Sequence, residues 1–65
     1  MNTDSFRELM RRIEGEIAES PRFSVTLPQA EQLWGIDYAT SIAVFRRLTE
    51  RGILHRTPRG EYIRE

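Results

Sequence analysis

The sequence has no cysteine and no lysine. Without cysteine, neither a disulfide framework nor a thiolate metal site can form, and that count alone leaves the redox compartment open. Without lysine, all ten basic side chains are arginine, whose planar fork holds phosphate or guanine bidentately, although genomic base composition also produces arginine in place of lysine. No apolar run approaches the roughly 20 residues of a membrane span, and MNTDSFRELM lacks the apolar stretch of a signal peptide, so no membrane association and a cytoplasmic location are expected. The single histidine, His55, has no second ligand candidate and reads as an ordinary strand residue. There is no Ser-His-acid arrangement, glycine-rich phosphate loop or cluster of metal ligands, and a 65-residue chain has few walls for a substrate pocket. We therefore expect no catalysis, no cofactor and no small-molecule substrate.

Net charge is also absent: ten arginines balance ten acids. That argues weakly against nucleic acid, because excess positive charge is what holds a phosphate backbone. The charges are nevertheless sorted along the chain. Residues 1–40 carry Arg7, Arg11, Arg12 and Arg22 against seven acids, whereas residues 41–65 carry Arg46, Arg47, Arg51, Arg56, Arg59 and Arg64 against only Glu50, Glu61 and Glu65.

Sixty-five residues allow one domain, and a chain this short buries only about 60% of its unfolded surface. Phe6, Leu9, Met10, Ile13 and Ile17 recur at the spacing of one helical face and predict an amphipathic helix over 3–19, with Ser5 and Glu8 fitting a capping box at its start. Its other face carries Arg7, Arg11, Arg12, Glu8, Glu16 and Glu19 and reads as solvated. Pro21 stops the helix by Ser20, and an extended piece at 23–25 follows.

From Thr26 the signals are denser. Thr26 with Gln29 makes a capping box, Val25 with Ala30 a hydrophobic staple, and Pro28 sits in the first turn, which together predict a helix over 27–34 burying Leu27, Ala30, Leu33 and Trp34. Gly35 supplies a left-handed stop and Asp37 caps the next helix, leaving a three-residue turn of helix-turn-helix length. In the helix over 38–51, Tyr38, Ser41, Ile42, Phe45, Leu48 and Thr49 cluster on one side at about 100° per residue, with Ala39, Ala43, Arg46, Arg47 and Glu50 opposite. Gly52 ends it. Residues 53–64 read as a hairpin with Arg56 on the rising strand, Arg59 at the tip, and Pro58 and Gly60 fitting a type I turn with a glycine bulge. Leu54, Tyr62 and Ile63 are expected to pack on the helices.

The predicted fold class is therefore mainly α with a small β-hairpin wing: three helices plus a two- or three-stranded antiparallel sheet. From Thr26 to Arg64, the LP start, the glycine turn, FRRL, RGIL and the glycine-tipped wing resemble bacterial winged helix-turn-helix domains, especially small stand-alone ones with LPQAEQLWGID and GILHRTPRGEYIR segments. A looser likeness is to the DNA-binding half of GntR-type regulators. The resemblance implies a transcriptional regulator in which Thr40, Arg46, Arg47, Arg56 and Arg59 approach double-stranded DNA. Tyr38 and Ala43 join these as candidates on the outward or leading part of the second helix. One departure is visible: GntR-type proteins commonly place arginine where this chain has Tyr38 and Ile42. The alternative is a winged-helix interaction module without DNA, in which Ile42, Ala39, Ala43 and Val44 are partly exposed for a protein partner or a homodimer.

Overall fold

A computed structural model describes residues 3–65. These form α1 (Thr3–Ala18), β1 (Ser24–Val25), α2 (Leu27–Trp34), α3 (Tyr38–Glu50), β2 (Leu54–Arg56) and β3 (Tyr62–Arg64). The apolar stripe of α1 packs as its spacing requires, with Met10, Ile13 and Ile17 buried and Phe6 and Leu9 resting against the core. Ser5 is the third residue of α1, not its cap, because helical geometry already begins at Thr3.

The helix-turn-helix is set by its caps. The Thr26 hydroxyl accepts from the Gln29 N–H while the Gln29 side chain accepts from the Thr26 N–H, so two otherwise orphaned donors are satisfied at the start of α2. Gly35, at φ +62°, ends α2, and the Ile36 N–H returns to the Glu31 carbonyl. Asp37 then caps α3 by accepting the Thr40 N–H at 2.7 Å. At the far end of α3, Gly52 (φ +72°) donates to the Thr49 carbonyl and Ile53 to the Leu48 carbonyl, a Schellman closure that turns the chain directly into β2.

The sheet is antiparallel with order β1-β3-β2. Cross-strand partners share a face, so Val25, Tyr62 and Arg56 lie on one side, and Ser24, Ile63 and His55 on the other. This corrects the expected packing of Ile63: strand alternation turns it away from the face on which Tyr62 meets the core. Three helices with this three-stranded sheet make the layout of a winged helix-turn-helix.

Two burial expectations change. Leu33 is 62% exposed, because Leu27, Ala30 and Trp34 define the inward stripe of α2 and Leu33 lies off it. On α3 the buried arc is Ser41, Val44, Phe45 and Leu48. It is rotated towards Val44, which is fully buried instead of available to a partner, whereas Tyr38 (61% exposed) and Thr49, on the same side of the helical projection as Phe45, lie outside it. An aromatic row crosses the domain: Phe23 stacks on Trp34 at 6.1 Å, Trp34 meets Phe45 at 5.9 Å, and Phe45 stacks on Tyr62 at 4.3 Å. The Trp34 indole N–H donates to Glu16 of α1, satisfying the polar edge of an otherwise buried ring. Among the described residues, no helix is long and apolar enough to cross a membrane.

Candidate nucleic-acid interface

Rotation of the buried arc determines what α3 presents outward. With Ser41, Val44, Phe45 and Leu48 inward, the opposite face at about 100° per residue is Ala39, Ala43, Arg46 and Glu50. Ala39 and Ala43 leave the N-terminal half of this face low, and Arg46 is its long cation. Ser41 is the buried polar residue among those described, and its hydroxyl donates to the Asp37 carbonyl, 3.0 Å away, so it needs no water.

On one flank of that face lies a groove lined by Ile42, Phe45, Arg46 and Thr49 from α3 and by Arg56 and Tyr62 from the wing. Its construction follows from the register. Arg56 pairs with Tyr62 across β2 and β3, and Tyr62 stacks on Phe45, so the aromatic contact brings the cation of the rising strand to the helix. The wing turn is tight: the Gly60 N–H donates to the Thr57 carbonyl at 2.9 Å, the Thr57 N–H to the Glu61 carbonyl, and the Glu61 N–H to the Thr57 hydroxyl. Among the described residues no non-glycine has positive φ, so Arg59 does not occupy the left-handed site of a type II turn, and Gly60 (φ +86°) takes the bulge position. Arg59 is exposed at the tip.

Among the described residues, Arg51 pairs with Glu14 at 2.9 Å, and the His55 Nδ1 lies 2.7 Å from the Glu65 carboxylate. Arg46, Arg47, Arg56 and Arg59 are in neither, so none has an acidic partner within ion-pair distance there. Thr40 is half-buried and tied to the cap. Its hydroxyl and, to a smaller extent, its N–H hold the Asp37 carboxyl below its ordinary value, because both favour the ionised form. Tyr38 and Ala43 are exposed, as are Arg46 and Arg47.

The structure thus joins Arg46 and Arg56 in one groove and leaves Arg47 on the other flank of α3, about 100° round the helix from Arg46. Thr49 and Tyr62 line the groove without being expected as contacts from sequence, and Ile42, expected only at a protein-partner surface, lines it too. Finding them needs the pairing of β3 between β1 and β2, which has no local signature. Among the described residues, no three His, Asp or Glu side chains gather to hold a metal ion. No protein-family model, curated protein or solved structure matches the chain.

Proposed function

We propose that the protein binds double-stranded DNA as a transcriptional regulator, with α3 in the major groove and the wing on the phosphate backbone. One observation carries this reading: Arg46 of α3 and Arg56 of the wing line a common groove, neither paired with an acid among the described residues. Arg46 faces base edges, where its fork suits the two acceptors of guanine, and the low surface of Ala39 and Ala43 lets the helix approach. Arg56 and Arg59 hold phosphate, and Arg47 reaches the backbone on the opposite flank. Tyr38 and Thr40, at the leading end of α3, lie where helix termini meet phosphates in this mode. Such a module makes few contacts, so a two-fold dimer on paired half-sites is part of the proposal, as are a cytoplasmic location and the absence of catalysis.

The test is fluorescence anisotropy with a mixed-sequence duplex at about 50 to 200 mM salt, where phosphate contacts change affinity steeply. Arg59→Gln is expected to weaken binding to all sequences and flatten the salt slope by about 0.9, whereas Arg46→Gln chiefly relaxes sequence preference. No binding at low salt would refute the proposal. That result would favour the second reading, a protein-interaction module, which draws on the exposure of Leu33 (62%) and Tyr38 (61%).

A further inference from the structure

The first half of the chain is acidic, yet two of its arginines line a cleft in which four of the seven lining side chains are arginine. A cleft of about 450 Å³ between α1 and α3 is lined by Phe6, Arg7, Met10, Arg11 and Glu14 from α1, by Arg47 of α3 and by Arg51 at its C-cap. Arg7 and Arg11 are one helical turn apart, and so are Arg47 and Arg51, so each wall of the cleft carries two arginines, beside Phe6 and Met10. Glu14 is the one acid, and it is engaged by Arg51 at 2.9 Å. Arg7, Arg11 and Arg47 are in no ion pair among the described residues.

This sorting does not follow from composition. The chain has as many acids as arginines, and an acid in place of Arg7 or Arg11 would cancel the repulsion between the two walls. We infer that the α1/α3 cleft is a phosphate-binding site. Arginines on two walls suit the several oxygens of a phosphate, to which each guanidinium can supply bidentate, charge-assisted hydrogen bonds. The position relative to α3 names the principal source. The wing lies on one flank of the outward face and this cleft on the other, with Arg47 and Arg46 adjacent in the chain. A helix seated in a major groove about 12 Å wide has one phosphate strand on each flank, so the wing arginines hold one strand and the cleft arginines the other. The DNA arm rests on the reading given under Proposed function. A free polyphosphate is the other source of the same chemistry and does not depend on it.

The experiment uses the full chain, the mixed-sequence duplex in a salt series, and inorganic tripolyphosphate followed by NMR at the arginine Nε–H resonances. In the variant Arg7→Gln with Arg11→Gln, the log–log salt slope is expected to become shallower by about 1.8, at about 0.9 per lost phosphate contact, with base preference unchanged. Circular dichroism checks that the helices are retained. Glu14→Gln frees Arg51 and is expected to do the opposite, tightening binding and steepening the slope by about 0.9, a gain that misfolding cannot mimic. If the parent binds duplex and neither variant alters slope or affinity, the cleft assignment is overturned while the DNA reading stands. If the parent binds no duplex, the DNA reading falls and the cleft is judged by tripolyphosphate: shifts at Arg7, Arg11 and Arg47 that vanish in the double variant sustain it, and their absence overturns it.

Discussion

Replacing Phe45 by leucine tests the aromatic row that fastens the wing to α3. Phe45 is 1% exposed, with its ring 5.9 Å from Trp34 of α2 and 4.3 Å from Tyr62 of β3. Leucine keeps most of the buried apolar area, so the loss is chiefly that of two ring contacts. Aromatic pairs contribute about 0.5–1.5 kcal/mol each beyond area burial, which puts the variant about 1–3 kcal/mol below the parent. A domain of this size holds only roughly 3–10 kcal/mol in all, and each kcal/mol moves Tm by about 4–8 °C, so a fall on the order of 10 °C is expected by calorimetry. A double-mutant cycle with Tyr62→Leu isolates the wing contact, whose coupling should be about 0.5–1.5 kcal/mol. A coupling within about 0.3 kcal/mol of zero, the error of additive sites, would refute the claim that this stack carries Arg56 to the helix.

Three further outcomes follow from single positions. Gly60→Ala places a side chain at φ +86°, but its Cβ would meet nothing nearer than the Arg56 Nη2 at 3.7 Å, so the cost is conformational. A loss of about 1–2 kcal/mol is expected in thermal melts, and an unchanged Tm would contradict the assigned turn. Asp37→Asn probes the cap through pH: the folded carboxyl titrates below its ordinary 3.8, so its contribution is present above that value and fades as pH falls through the folded one. Parent and variant melts should therefore differ at pH 5–7 and converge as pH falls below the folded value, and a constant gap would show that the charge is not responsible. Leu33→Gln should stay within about 0.5 kcal/mol of the parent, as exposed substitutions do, whereas a loss of several kcal/mol would mean that a second molecule covers Leu33 in solution.

The element boundaries were legible because each is written in local chemistry. Thr26 with Gln29, Pro28, Gly35, Asp37 and Gly52 act on backbone groups within a turn or two of themselves, and the observed caps use those residues. Burial was less legible because it depends on what lies on each flank. Val44 and Tyr38 are both apolar members of α3, and only the placement of the other elements around it decides that Val44 is enclosed and Tyr38 is not. Leu33 and Ile63 are different cases. The helical stripe through Leu27, Ala30 and Trp34, and strand alternation from Tyr62, are both present in the sequence, and in both cases phase rather than apolar character decides which way the side chain faces. For the candidate interface, Arg46 and Arg56 are each visible in the sequence as cations on α3 and on the wing. That they share a groove requires the non-sequential strand order and the Phe45–Tyr62 stack.

A net charge of zero constrains the proposed DNA reading more than it opposes it. With ten charges of each sign, the long-range field that draws a basic protein to DNA is weak, so association gains little from electrostatic steering. At about 0.15 M salt the Debye length is about 8 Å, and a phosphate beside the wing or the α1/α3 cleft therefore senses the nearby arginines and little of the acids farther away. Attraction is then a contact-range property: affinity should fall with salt in proportion to the arginines that touch phosphate, while the association rate should respond to salt only weakly. Stopped-flow anisotropy separates the two. Salt dependence concentrated in the dissociation rate fits charges sorted by the fold, and dependence concentrated in the association rate would require a long-range basic field that this composition does not provide.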